Sequence, residues 1–224
     1  MSEPQSTSRI GGPAAPLEIA NLDTDQIMPK QFLHGIDKAG LDKGLLWDLR
    51  FTGDGGARPE FVLNQPAFKG TRVLVAGPNF GCGSSREHAV WGLQQYGIQA
   101  VIASAFGEIF YSNAMNNRLL AVLLTEDEVQ ALLGEMRGRA EPLQIEIDVD
   151  SRTMTSPTHH FTFSISERHR SMFLNGQDMI GASLAHKAAI EAFSERHWAA
   201  QPWVRDVASR TKQRLDDPAA ISAA

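Results

Sequence analysis

Residues 72–95, RVLVAGPNFGCGSSREHAVWGLQQ, decide the fold. Residues 72–76 form a β-branched apolar run that stops at Gly77-Pro78, and residues 84–95 carry a helix pattern, so the order is strand, glycine loop, helix. The alternation continues downstream. Residues 100–103 read as a second short buried strand, 107–118 as a helix and 119–124 as a third strand. Continuous apolar runs of this length belong to sheets covered on both faces, and their alternation with helices predicts a parallel α/β core. Thr125-Glu126-Asp127-Glu128 is a capping box opening a helix to about Arg137. Residues 144–149 and 161–165 alternate like an antiparallel strand pair joined through 151–160, and 178–197 has the spacing of a terminal amphipathic helix.

Upstream, residues 17–20 read as a short strand running into Asn21-Leu22-Asp23-Thr24-Asp25, whose side chains favour turns and bond nearby amides. Pro29 suits the first turn of a short helix to Leu33. Residues 35–56 form a glycine-rich excursion with a helical piece near 45–49. The expected organisation is a flexible segment over 1–16, one α/β domain over 17–197 and a loosely attached tail over 198–224. Within that tail, Trp203 argues that residues 201–204 dock.

With 224 residues, 42% of them hydrophobic, the chain is long enough to bury one real core. A formal net charge of −5 argues against a nucleic-acid partner, which is usually gathered by a basic patch. The opening residues lack the basic start and apolar run of a signal peptide, and no stretch approaches a membrane span, so a cytoplasmic protein is expected. The one cysteine, Cys82, can neither make an internal disulfide nor by itself hold zinc or an iron–sulfur cluster. No metal ligands are therefore assigned to this chain.

The chemistry concentrates in the glycine loop. Gly81 and Gly83 let the backbone turn sharply and approach a ligand, the following helix start favours an anion, and Arg86 adds a planar donor fork suited to a carboxylate. The dinucleotide pattern fails because Arg86 stands where its last glycine should be, and the Walker pattern fails for want of Gly-Lys-Ser/Thr. The nucleophile elbow fails because Glu87 occupies the place of its second glycine. A plain alternative stands beside these: Ser84-Ser85-Arg86-Glu87 fits S-x-x-E and would serve as a helix cap. Asp23 and Asp25 have a similar alternative as turn residues, and His88 either reaches the site or packs in the first helical turn.

GCGSSREHA (residues 81–89) resembles the serine loop of the aconitase superfamily, and NLDTDQIMPKQFL (21–33) resembles the other signature of its isopropylmalate dehydratase small subunits. IASAFGEIFYSNAMNNRLLAVLL (102–124) and MFLNGQDMIGASL (172–184) are similar to the central and C-terminal segments of that family, in the same order. The resemblance spans roughly residues 10–195. It implies an aconitase-type swivelling β/β/α domain: a mostly parallel core sheet flanked by helices, with an additional antiparallel strand pair. It also implies a large-subunit partner that carries a [4Fe-4S] cluster, and a hydro-lyase reaction interconverting 2- and 3-isopropylmalate through isopropylmaleate in leucine biosynthesis.

Matched motif to motif, Ser84 falls on the catalytic base, Ser85 and Arg86 on carboxylate-binding positions, and Asp25 on an acidic active-site position with Asp23 and Thr24 beside it. The resemblance thus implies Ser84 and Arg86 as catalytic and Ser85, Asp25, Asp23 and Thr24 as contacts to a small dicarboxylate. A further arginine, which aconitase uses downstream of the aspartate loop, has no clear match; Lys38 and Arg50 are the candidates. Related hydro-lyases acting on citraconate, dimethylmalate or other 2-alkylmalates share the serine loop, and a non-catalytic dicarboxylate-binding swivel module is the other alternative. Asn116, Asn117 and Arg118 read either as part of a closing interface or as ordinary surface.

Overall fold

The computed structural model describes residues 8–33 and 39–216. The strands are β1 (Arg9–Leu17), β2 (Val73–Ala76), β3 (Ala100–Ala103), β4 (Leu120–Leu123), β5 (Leu143–Asp148), β6 (Thr153–Thr155) and β7 (His160–Thr162). The helices are α1 (Thr24–Ile27), α2 (Trp47–Arg50), α3 (Glu87–Tyr96), α4 (Glu108–Asn116), α5 (Glu126–Met136), α6 (Glu167–Leu174), α7 (Met179–Leu184), α8 (Lys187–Ala200) and α9 (Val207–Asp216).

One seven-stranded sheet has the order β4-β3-β2-β1-β5-β6-β7. Strands β1 to β4 are parallel, with Ala14 opposite Val73, Val73 opposite Ala100 and Ala100 opposite Leu120. Every residue of β2 and β3 is buried, as their unbroken apolar runs require. Helix α5 packs across β1, β2 and β3, bringing Val129, Leu132, Leu133 and Met136 into the core. Thr125 and Glu128 close its capping box as the sequence requires.

The first correction concerns the N-terminus. Strand β1 begins at Arg9, so residues 9–16 belong to the middle of the sheet instead of a flexible segment, and the strand expected over 17–20 is only the end of a longer one. Gly11, Gly12, Pro13 and Pro16 conceal the strand locally. The glycines are required by close neighbours: a Cβ on Gly11 would lie 2.3 Å from the Ile145 carbonyl oxygen. The second correction is on the other wing. The two strands expected as a pair, β5 and β7, are separated by the three-residue β6, which is antiparallel to both. Glu135 of α5 ties down the β6–β7 turn, its carboxylate accepting hydrogen bonds from Ser156 Oγ at 2.7 Å and His159 Nδ1 at 3.0 Å. Burial alone would raise the Glu135 carboxyl, but those hydrogen bonds, another from Thr158 and the charge of His159 hold it below the ordinary range.

The C-terminal boundary also moves. The chain divides into compact units at Met179/Ile180, so the main unit ends well before 197. The single helix expected over 178–197 is broken at Ala185-His186 into α7 and α8, and the expected loose tail contains the helix α9. Trp203 lies in the second unit and is 65% exposed. No helix among the described residues is long and apolar enough to cross a membrane.

Candidate active site

The glycine loop leaves the C-terminal end of β2 and is gripped from both sides by backbone pairing that prolongs the sheet. On one side Gly81 N–H donates to the Leu22 carbonyl at 2.7 Å and Thr24 N–H to the Cys82 carbonyl at 2.9 Å. On the other, Phe80 N–H donates to Ala105 at 3.0 Å and Gly107 N–H to Phe80 at 2.9 Å. Gly81 lies at φ 73° and Gly83 at φ 93°, left-handed backbone that a side chain would strain. The ring of Phe110 fills the place of the missing Gly81 side chain, where a Cβ would come within 2.2 Å of it. Phe80, Phe106 and Phe110 form an aromatic floor, with Phe80 meeting Phe110 edge-on at 5.2 Å. The loop is therefore held by a rigid scaffold while Gly83, Ser84 and Ser85 at its tip stay exposed.

The two sequence motifs meet at this tip. Thr24 is buried, and its hydroxyl donates to the Ser84 carbonyl at 2.8 Å, with the Ser84 hydroxyl 3.5 Å away. Arg86 is folded inward. Its guanidinium makes an ion pair with the half-exposed Asp25 carboxylate and donates to the Met28 carbonyl at 3.2 Å. Asp25, Thr24, Ser84 and Arg86 are thus gathered within one constellation, and Ser85 lies exposed between the last two. Asp23 is engaged differently. It caps α1, its Oδ1 accepting from Gln26 N–H at 2.7 Å while the Gln26 side chain accepts from Asp23 N–H at 3.1 Å. A capping carboxylate of this kind stabilises the turn that presents Thr24 and Asp25.

The competing cap reading of Ser84 and Glu87 does not hold. Arg86 occupies the cap position of α3, no side chain caps that end, and Glu87 instead accepts from Asn117 Nδ2 at 2.8 Å. Asn117 also accepts from Trp91 Nε1 at 3.0 Å and, through its carbonyl, from Gln94 Nε2 at 2.7 Å, so it fastens α3 to α4. His88 packs edge-on against Trp91 with ring centroids 4.9 Å apart. Of the two candidates for a further carboxylate-binding group, Arg50 is committed elsewhere. It donates to Asn64 Oδ1 and the Leu45 carbonyl, each at 3.1 Å, and stacks over Phe51 and Tyr96. Tyr96 ends α3, roughly 14 Å along that helix from the loop, so Arg50 braces the 45–65 excursion. Desolvation at that site lowers the Arg50 pKa. Lys38 lies outside the described residues.

Sequence reasoning missed Gly107, which has no Cβ because one would meet the Gly81 carbonyl oxygen at 2.4 Å. The Phe-Gly pair just before α4 was the available signal. Cys82 donates to the Asn21 carbonyl at 3.3 Å, and among the described residues no three His, Cys, Asp or Glu side chains converge on a possible metal position. The residues described here therefore do not fit an iron–sulfur cluster, which needs several thiolates.

Comparison with known proteins supplies the remaining context. Residues 6–127 match the family model of the aconitase C-terminal domain. The 3-isopropylmalate dehydratase small subunit 1 of Chromobacterium violaceum is 63% identical over 208 residues, covering 93% of this chain and 98% of that protein. The small subunit of Phenylobacterium zucineum is 47% identical, covering 89% and 98% respectively. Among solved structures, a 3-isopropylmalate dehydratase of Methanocaldococcus jannaschii superposes with a TM-score of 0.60 at 28% identity, covering 83% of this chain and 99% of that one. The aconitase-type fold expected from the serine loop is thereby confirmed, and the chain belongs to the family of 3-isopropylmalate dehydratase small subunits, a hydro-lyase family built on the aconitase C-terminal domain.

Proposed function

We propose that this chain supplies the serine-loop half of a two-subunit active site that interconverts 2-isopropylmalate and 3-isopropylmalate by dehydration and rehydration, a step of leucine biosynthesis, in the cytoplasm. The observation that carries the reading is the junction of two motifs sixty residues apart in sequence, Thr24 on Ser84 and Asp25 on Arg86. A large subunit completes the site and holds the [4Fe-4S] cluster, which when bound supplies Lewis-acid help to the departing hydroxyl. The parts played by this chain follow from its own groups. Ser84 Oγ, as the alkoxide, takes the proton from the substrate carbon to become the hydroxyl and returns it on rehydration. A serine hydroxyl is a weak base in water, so the role requires a site closed to solvent with positive charge beside the oxygen. Arg86 provides that charge.

Arg86 also receives a substrate carboxylate. One edge of its guanidinium is tethered to the Met28 carbonyl, and the other faces Asp25, whose half-exposed side chain is free to swing aside or share the cation. The pairing keeps Arg86 oriented in the free chain and reserves its fork for an anion. Ser85, exposed and next to Arg86 in the chain, donates to the same carboxylate in this reading.

The test is anaerobic mixing of the full chain with a cluster-loaded large subunit, following ultraviolet absorbance for the unsaturated intermediate from 3-isopropylmalate. Absorbance that rises only with both chains present supports the reading. In the same assay Arg86→Lys is expected to raise KM by about tenfold or more, because an ammonium keeps the charge and loses the two-pronged geometry. Turnover of citraconate or dimethylmalate in place of isopropylmalate would move the assignment to a related hydro-lyase, and assembly without turnover of any of them would favour a binding module.

A further inference from the structure

A cavity lies at the opposite end of the sheet from the serine loop. It measures about 350 Å³ and is lined by Arg9, Arg72 and Arg118 with Gln94, Gln99 and Phe173. Arg72 and Gln99 stand immediately before β2 and β3, and Arg118 shortly before β4, so the cations cluster at the N-terminal edge of the parallel strands. The serine loop follows the C-terminal end of β2. A four-residue strand of about 13 Å therefore separates loop and cavity.

The arginines are poorly answered by the protein. The Arg118 side chain donates from one terminal nitrogen to the Gly176 carbonyl at 3.1 Å, while its buried Nε has no hydrogen-bond partner among the described residues. A buried charged donor left unpaired is costly, which is a reason to look for an acceptor in the cavity it borders. Arg72 has no carboxylate partner among the described residues. Its backbone is locked, accepting from Gln99 N–H at 2.8 Å and donating to the Pro13 carbonyl at 2.8 Å. Its stem lies over Gly12, where a Cβ would come within 2.8 Å of Arg72 Cδ, so β1 leaves room for this side chain. Arg9 approaches Asp148 only to 3.7 Å.

Helix dipoles explain part of the clustering. The C-terminal ends of α3 and α4, at Gly97 and Asn117, each contribute about half a negative charge, enough to attract cations but too little to neutralise Arg72 and Arg118 together. Among the described residues no acidic side chain lines this cavity, in a chain whose net charge is −5. We infer that the cavity formed by Arg9, Arg72 and Arg118 is a binding site for a small oxyanion, phosphate or carboxylate, separate from the serine loop.

Calorimetric titration of the full chain with sodium phosphate, and in parallel with sodium malonate, tests this at an ionic strength held constant with sodium chloride. Binding of at least one probe at about millimolar affinity or tighter is expected, weakened about tenfold by Arg72→Gln and by Arg118→Gln, and this Arg72-dependent binding is retained in a chain that carries Arg86→Gln to silence the serine loop. The exposed Arg72 keeps the test valid should Arg118→Gln fail to fold. Dependence on Arg72 seen with phosphate alone identifies a phosphate site, and with malonate alone a carboxylate site; either supports the proposal. It is overturned if neither probe binds, if binding follows Arg86 instead of Arg72, or if Arg72→Gln leaves binding intact and weakens association with the large subunit, which would make the cavity a protein-docking surface.

Discussion

Ser84→Ala is expected to lower kcat by about three orders of magnitude while leaving the fold and subunit association in place. The geometry makes this substitution unusually clean. The clasp between the motifs runs from the Thr24 hydroxyl to the backbone carbonyl of Ser84, and alanine retains that carbonyl. The Ser84 side chain is exposed and caps no helix, so its loss opens no cavity and removes no cap. Stability should change by no more than about 0.5 kcal/mol, as for other surface positions. KM should stay close to that of the parent, because Arg86 and Ser85 still receive the carboxylate. Steady-state kinetics with the loaded large subunit, thermal melting and co-elution on gel filtration separate these terms. A variant that keeps a tenth of the parent rate would remove Ser84 from the role of base and leave the loop as a binding element.

How far the sequence disclosed this depends on whether a signal is local. The unit from Val73 to Tyr96 was legible because a buried parallel strand needs a continuous apolar run and the following loop needs glycine, and both marks lie in adjacent residues. Strand β1 was not, since Gly11, Gly12, Pro13 and Pro16 are unfavourable for a strand on their own and acceptable only because β2 and β5 pair on either side. Three-residue β6 is too short to show alternation. Each half of the site was readable as a motif, but the contacts of Thr24 with Ser84 and Asp25 with Arg86 are tertiary, and so is the capture of Arg50 by Tyr96 and Asn64. Residue type and spacing named the groups. Only folding told which carboxylate caps a turn, as Asp23 does, and which faces the arginine, as Asp25 does.

Gly107 gives the sharpest test of whether the scaffold beneath the loop matters as much as the loop itself. Its φ of −58° is open to any residue, so conformational strain is not the issue. Space is the issue. An added methyl would lie 2.4 Å from the Gly81 carbonyl oxygen, 2.8 Å from the Gly81 carbonyl carbon and 2.9 Å from Cys82 Cα, all backbone atoms with no rotamer to yield. The chain must then part at the pairing between Phe80 and Phe106, where Gly107 N–H donates to the Phe80 carbonyl. Overpacking against side chains costs about 1–3 kcal/mol, and a backbone neighbour places Gly107→Ala at the upper end of that range. The displaced segment leads directly to Ser84 and Arg86, and a shift of about 1 Å in a reacting group is sufficient for a rate loss of about 100-fold. Thermal melting should show the destabilisation, and kinetics on the fraction that remains folded should show kcat falling further than the folded fraction accounts for. Full activity in a folded Gly107→Ala variant would mean that the loop takes its working geometry from the large subunit instead of from the Phe80–Phe106 pairing of this chain.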